Sequence, residues 1–481
     1  MISRLFFTFI LFGELLTAQS FTEVINTPFE GIRGSSIAFA DIDGDNDQDV
    51  LITGGNNSAP RISKLYINDG EGNFTEMQET PFVEVISGSV AFADIDGDED
   101  QDLLITGRDI SDIDISKLYK NDGSGHFTEV LDSPFPGISF SSIAFADIDG
   151  DNDQDVLLSG RNNTSLITKL YINDGEGNFT ELLDTPFESA QFSAVAFSDV
   201  DGDEDLDIFI TGSNSFGYFS KLYDNDGEGY FTEVSNTPFE NVGSGSVAFA
   251  DIDGDEDQDV FITGSNGFAL FSKLYINDGQ GNFTEVSDIP FEGVYISSIA
   301  FSDVDRDNDQ DLLISGQNIS STPISKLYIN DGAGNFIEEL ETPFEGVRLC
   351  SIAFSDVDGD NDQDLLITGE NTLSDEISKM YINNSVVSSI ENEAEGTDFK
   401  FTINPNPSSK GQCNISYSSE EGGVLIINIY DLTGALLRQK RELFGIGQQL
   451  IGIDLTSLNK GSYIIQLDDG KRKVSQIFLV Q

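Results

Sequence analysis

Aspartate occupies every second position of a nine-residue phrase, D-x-D-x-D-x-D-x-D, which this sequence repeats seven times. The copies are Asp41, Asp43, Asp45, Asp47 and Asp49; Asp94, Asp96, Asp98, Asp100 and Asp102; Asp147, Asp149, Asp151, Asp153 and Asp155; Asp199, Asp201, Asp203, Asp205 and Asp207; Asp251, Asp253, Asp255, Asp257 and Asp259; Asp303, Asp305, Asp307, Asp309 and Asp311; and Asp356, Asp358, Asp360, Asp362 and Asp364. Five carboxylates this close repel one another unless a cation lies among them, and all-oxygen ligands select a hard ion, with calcium the natural candidate. Positions 1, 3, 5 and 9 can converge on one ion, and the carbonyl of position 7 completes the set. About seven structural calcium ions are expected. The alternative is a solvated acidic turn without metal.

Other chemistry is thinly represented. His126 is the only histidine, and it fills a turn slot held elsewhere by Asn73 or Asn178. Neither a nucleophile motif nor a zinc ligand cluster is visible. Paired carboxylates for glycoside chemistry remain open among so many acids. A protein that binds carbohydrate or protein ligands is the favoured reading. The alternatives are an extracellular polysaccharide-active enzyme and a structural surface protein without a small ligand.

The elements that must position these loops follow from the spacing. Successive copies begin 53, 53, 52, 52, 52 and 53 residues apart, a period that marks a repeat architecture. Around the second copy lie four short apolar or β-branched runs, at Ser89–Ala93, Leu103–Gly107, Ile115–Tyr119 and Phe127–Val130, separated by turn signals. Four strands per repeat and no helical spacing predict an all-β propeller. The seventh copy stops at Asn384, before its Phe-Thr-Glu strand, whereas Phe21-Thr22-Glu23 stands near the start with no copy before it. The expected fold is a seven-bladed β-propeller over 19–384, closed by pairing of its N- and C-terminal strands. Phe39, Phe92, Phe145, Phe197, Phe249, Phe301 and Phe354 should pack between sheets, as should the Phe after each recurring proline. Lys64, Lys117, Lys169, Lys221, Lys273, Lys326 and Lys379 recur before (Leu/Met)-Tyr and are expected to neutralise acidic neighbours.

The formal net charge is -61, which argues against nucleic acid as a partner. Nearly all of it lies in 19–384, with 73 acids against 14 bases, while 385–481 is close to neutral. Residues 1–18 resemble an export signal, with Arg4, an apolar stretch at Leu5–Phe12 and a small-residue cleavage site ending at Ala18. No other segment approaches membrane-spanning length. Cys350 and Cys413 fall on either side of the domain boundary, so no disulfide framework is implied. Residues 385–398 form a polar linker, and 399–481 show alternating strands expected to make a small β-sandwich.

The phrase Phe-Ala-Asp-Ile-Asp-Gly-Asp, followed by Asp-x-Asp-(Val/Leu) and then Asn-Asp-Gly-x-Gly-Asn-Phe, resembles the FG-GAP/VCBS repeat of secreted and surface propellers, to which integrin α-subunit heads are related. The likeness covers about 19–384. Two departures stand out. Position 6 holds Asn46, Asn152, Asn308 and Asn361, or Glu99, Glu204 and Glu256, where the family often has Gly; Glu loops that are looser, or that follow a different backbone path, are expected. Arg306 replaces Gly at position 4 of the sixth copy and is expected to make Asp303–Asp311 the weakest site. The tail resembles the C-terminal sorting domain of the type IX secretion system, carried by Asn404-Pro405-Asn406-Pro407, Tyr430-Asp431-Leu432-Thr433-Gly434, Leu458-Asn459-Lys460-Gly461-Ser462-Tyr463 and the terminal strand Gln476–Val480. That implies passage through the type IX machinery and release from, or anchoring on, the outer surface of a Gram-negative bacterium. Recognition is expected where the repeats differ, and Phe216, Tyr218 and Phe268 are the candidate ligand-binding residues.

Overall fold

The computed structural model describes residues 21–56, 61–384 and, beyond them, 401–404, 412–419, 423–430, 436–444, 447–454, 458, 461–468 and 473–480. The expected leader at 1–18 and linker at 385–398 lie outside the described residues, as do Pro405–Pro407, Asp431–Gly434 and Asn459-Lys460 of the tail motifs. The chain divides into two parts, within 1–386 and 387–481. The described residues are all-β, and no helix among them is long and apolar enough to cross a membrane.

The first part contains seven repeats of an antiparallel four-strand meander. In the first repeat the strands are Arg33–Ala40, Asp49–Gly55, Ile62–Asn68 and Phe74–Glu76. The second strand is buried throughout, because its Val-Leu-Ile run has neighbours on both faces. The seventh repeat supplies only Val347–Ser355, Asp364–Asn371 and Glu376–Asn383. Phe21–Glu23 completes it, pairing Phe21 with Asn383, Thr22 with Ile382 and Glu23 with Tyr381. Single cross-repeat pairs, such as Phe271 with Val294, join some repeats into longer sheets, none of which closes on itself.

An aromatic triad is copied in every repeat. Tyr66 of the third strand, Phe74 of the fourth and Phe29 of the incoming connector meet at ring-centroid distances of 4.9 Å (Phe29–Tyr66) and 5.2 Å (Phe29–Phe74). In the seventh repeat Phe344 meets Tyr381 at 5.1 Å and Phe21 at 4.9 Å. The N-terminal Phe thus fills the slot that the repeat itself lacks. The seven tyrosines are fully buried. The phenylalanines two residues before each aspartate loop are half-buried and pack on the edges of the same clusters. Each repeat lysine pairs with the glutamate of its fourth strand: Lys64 with Glu76, Lys117 with Glu129, Lys169 with Glu181, Lys221 with Glu233, Lys273 with Glu285, Lys326 with Glu338 and Lys379 with Glu23. The last of these again joins the two ends of the domain.

One set of contacts links the repeats in order. The asparagine ending each third strand donates from Nδ2 to the position-2 carbonyl of the preceding repeat's aspartate loop: Asn121 to Ile42, Asn173 to Ile95, Asn225 to Ile148, Asn277 to Val200, Asn330 to Ile252 and Asn383 to Val304. Asn68 of the first repeat donates to Val357 of the seventh at 2.8 Å. First and last repeats are therefore neighbours, joined by the bond that joins all the others.

In the second part, Phe401–Asn404, Gln412–Ser419 and Gly447–Asp454 form one sheet, and Gly423–Tyr430, Leu436–Phe444, Gly461–Asp468 and Lys473–Val480 another. Ile415, Ile451 and Ile453 of the first share a core with Leu425, Ile427, Ile429, Tyr463, Ile465 and Leu467 of the second, giving the expected small sandwich.

Phe21→Ala is expected to cost about 3 kcal/mol in chemical denaturation, as much as Phe74→Ala in a complete repeat. A neutral Phe21→Ala would show that the N-terminal strand is not part of the folded seventh repeat.

Candidate metal centre

Each aspartate loop connects a first strand to a second, and its five carboxylates have separate tasks. At position 1, Asp41 Oδ2 accepts the N–H of Asn46 at 3.0 Å, and the equivalent bond to position 6 forms in all seven loops. At position 5, Asp45 Oδ1 accepts the N–H of Asp47, again in every loop. At position 9 the buried Asp49 takes two backbone donors, Asn68 N at 2.8 Å and Ile42 N at 3.1 Å. Burial pushes Asp49, Asp102, Asp155, Asp207, Asp259 and Asp364 up to about 7, and Asp311 to about 8, against the pull of those donors.

Position 3 is different. Oδ1 of Asp43, Asp96, Asp149, Asp201, Asp253, Asp305 and Asp358 is buried with no hydrogen-bond partner. An orphaned carboxylate oxygen is costly, and seven copies of it point to a common missing partner. Among the described residues seven groups of acids gather ligand oxygens within 4.8 Å, and five of them are Asp41, Asp43 and Asp45; Asp199, Asp201 and Asp203; and Asp251, Asp253 and Asp255 at positions 1, 3 and 5; Asp94, Asp96 and Asp102, and Asp147, Asp149 and Asp155, at positions 1, 3 and 9. A carboxylate set with an unsatisfied buried oxygen fits a hard divalent cation.

The position-7 side chains do not join those five gatherings. Asp47 lies over the Asn-Asp-Gly turn of its own repeat, where a methyl group on Gly70 (φ +74°) would fall 2.5 Å from its Oδ2. Asp100, Asp153, Asp205, Asp257 and Asp309 meet Gly123, Gly175, Gly227, Gly279 and Gly332 in the same way. This contact explains why the turn needs glycine at that place.

Two expectations about the loops need correction. The Glu loops do not take a different backbone path: Glu99, Glu204 and Glu256 adopt φ of 70°, 73° and 71°, beside 70° for Asn46. The bond from each position-6 N–H to position 1 holds the same path, so Glu accepts about 1 kcal/mol of left-handed strain. Arg306 also turns away from its own loop. Its Nη2 reaches the seventh loop, 3.1 Å from Asp360 Oδ1, 2.9 Å from the Asp360 carbonyl and 3.3 Å from Asp362 Oδ2. It is therefore Asp356–Asp364, not Asp303–Asp311, whose acids face a guanidinium.

Sequence reading missed a further slot, the residue before each turn asparagine. Most repeats have Ile there, as at Ile67 and Ile172, but the second has Lys120 and the fourth Asp224. Lys120 Nζ lies 2.8 Å from Asp96 Oδ2, so the second loop carries a cation of its own. The carboxyl of Asp224 is pushed up by burial and by Asp203 and Asp226, so the fourth loop carries an extra acid. Only the break in the Ile pattern could have signalled this. A cavity of about 580 Å³ is lined by Ala91, Phe92, Asp94, Gln101, Phe145, Gln154 and Phe197, among others.

A model of the FG-GAP-like repeat matches residues 41–105, 147–210, 199–262 and 251–314, and one of the secretion system C-terminal sorting domain matches 402–481. The chain carries FG-GAP-like repeats and a type IX sorting tail. The tail marks it for export to the cell surface or the medium. Comparison with curated proteins finds no match. Among solved structures, it is similar to a variant of the Aleuria aurantia lectin in complex with alpha-methyl-L-fucoside (10% identity, TM-score 0.38, 65% of this chain and 96% of that one). AofleA from Arthrobotrys oligospora (10%, 0.37, 78% and 91%) and a thermostable family-43 glycoside hydrolase (11%, 0.31, 66% and 97%) are also similar. Likeness at this level says nothing of the ligands of this FG-GAP-like chain.

Excess EDTA is expected to lower the melting temperature by more than about 10 °C, since seven divalent ions would contribute roughly 10 kcal/mol at tenfold their dissociation constants. In calcium, Asp43→Asn should cost about 1–2 kcal/mol and Asp47→Asn much less. Equal effects of the two substitutions would contradict the assignment of position 3 as the cation-facing oxygen.

Proposed function

We propose that the FG-GAP-like domain is a seven-bladed β-propeller held by about seven calcium ions, and that the exported protein binds extracellular glycans through aromatic hairpin tips. Support for the ring comes from the seven asparagine bonds, Asn68 to Val357 among them. Support for calcium comes from the orphaned position-3 oxygens.

The observation that carries the binding reading is the exposure of Phe216 and Phe268, at 96% and 97%. They sit on corresponding hairpins of consecutive repeats, each on a turn that is firmly held. Asn214 Oδ1 accepts the N–H of Phe216 at 2.8 Å, while its amide donates to Glu188; Asn266 does the same for Phe268, with Glu240. Rings left in water on a pinned backbone lose little entropy when a ligand covers them. A flat ring matches the C–H face of a sugar. Tyr218 is 38% exposed and lies against the neighbouring hairpin, its Cε2 3.2 Å from where a methyl on Gly267 would be. It braces the two tips. Phe219 and Phe271 are packed inward.

On a glycan array in calcium, the full chain should retain a defined set of glycans, and the Phe216→Ala/Phe268→Ala double variant should bind them at least about tenfold more weakly. An empty array, or equal binding by the double variant, would contradict the proposal.

A further inference from the structure

The first strand of each repeat bulges or breaks near its start, and one residue there takes a left-handed conformation. The seven residues are Gly34, Ser87, Phe140, Phe192, Ser244, Ile296 and Leu349, with φ between 43° and 57°. Backbone bonds link these points between neighbouring repeats: Ser87 N to Gly34 O, Phe140 N to Ser87 O, Ser244 N to Phe192 O and Ile296 N to Ser244 O. Small residues suit the position, as Gly34, Ser87 and Ser244 show. A phenylalanine there holds about 1–2 kcal/mol of strain, of a kind that persists at functional sites.

Phe140 and Phe192 are nevertheless placed there side by side, half-buried, with ring centroids 4.8 Å apart. Arg161, at the end of the second strand Asp155–Arg161, lies with its guanidinium 4.5 Å from the Phe140 centroid and 5.9 Å from that of Phe192. Arg108 also lies 6.0 Å from the Phe140 centroid but is tied to Asp114.

The charge pattern isolates Arg161. Of the 14 bases in residues 19–384, the other 13 have an acid within ion-pair distance. Among the described residues Arg161 has none, and its Nε is buried without a hydrogen-bond partner. With 73 acids available, a single unpaired arginine is not explained by local neutralisation. A guanidinium stacked on a ring keeps its N–H edge free for a planar oxyanion, and carboxylate fits that fork.

We infer that Arg161, Phe140 and Phe192 form a binding site for an acidic monosaccharide, a hexuronate unit whose carboxylate meets the guanidinium edge and whose C–H face meets the phenyl rings. The surrounding negative charge disfavours a polyanion and leaves room for a single carboxylate. The site is separate from the hairpin-tip residues Phe216 and Phe268 and does not depend on their role.

Isothermal titration of the full chain in calcium tests this with free glucuronic and galacturonic acid, against glucose and galactose as neutral controls. A uronate should bind saturably, the matching neutral sugar at least about tenfold more weakly, and Arg161→Gln should lose at least about tenfold toward the uronate alone. Phe192→Ser, which installs the residue of Ser87 and Ser244, should weaken uronate binding with no fall in melting temperature, because it also removes strain. Absence of uronate binding, equal binding of the neutral sugar, or unchanged affinity in Arg161→Gln would overturn the assignment. So would a Phe192→Ser variant that melts several degrees lower and binds as before, since the rings would then serve packing only.

Discussion

Like-charge repulsion inside the aspartate loops is the constraint on which the other features depend. Thirty-five carboxylates stand in seven nine-residue loops, and burial or neighbouring acids push many of them upward in pKa. Backbone donors answer part of that pressure at positions 1, 5 and 9. They leave position 3 unanswered in every loop, which is where a cation would act. The loops are also joints. Asp49 holds the N–H of Asn68, and the amide of Asn68 holds the preceding repeat's loop at Val357, so a loop that lost its shape would loosen two repeats at once. On the proposed reading, metal and fold would be coupled in the manner of small metal-dependent domains, distributed over seven places.

Much of this was legible in the chain because it repeats. Spacing revealed the period, and the stranded Phe21-Thr22-Glu23 revealed the split seventh repeat, since only one place in the array lacked that strand. That the recurring lysines neutralise acids was legible too, but that the acid is the glutamate of the fourth strand came from the pairing of the strands. What stayed hidden was direction. Nothing in the composition of Asn-Asp-Gly says that the asparagine amide crosses to another repeat, or that position 7 covers the turn glycine. Arg306 could be seen to be out of place, yet its side chain spans to the next loop, and only geometry tells which loop receives the charge. The Glu loops were misjudged because intrinsic φ preference was weighed without the bond that enforces it. In the tail, polar residues blur the alternation of Gln412–Ser419 and Gly447–Asp454, whose inward anchors are Ile415, Ile451 and Ile453.

Departures from the repeat carry the individuality of this protein. Lys120 and Asp224 change the charge of two loops in opposite directions, so the seven centres should not be equal in affinity. Phe216 and Phe268 turn two hairpins into exposed aromatic tips. Phe140 and Phe192 put strained rings where other repeats have Gly34, Ser87, Ser244, Ile296 or Leu349, and Arg161 adds a cation with no acid beside it. A rigid, repeated frame tolerates such changes because its stability is a sum over repeats. Function can then accumulate on a few of them.

The central claim is that the aspartate loops are cation sites and not solvated acidic turns. Elemental analysis of the purified full chain, dialysed against micromolar calcium without chelator, tests it most directly. The account predicts about seven calcium ions per chain, falling by one in Asp43→Asn. A content of one ion or fewer in a folded, fully soluble sample would contradict it.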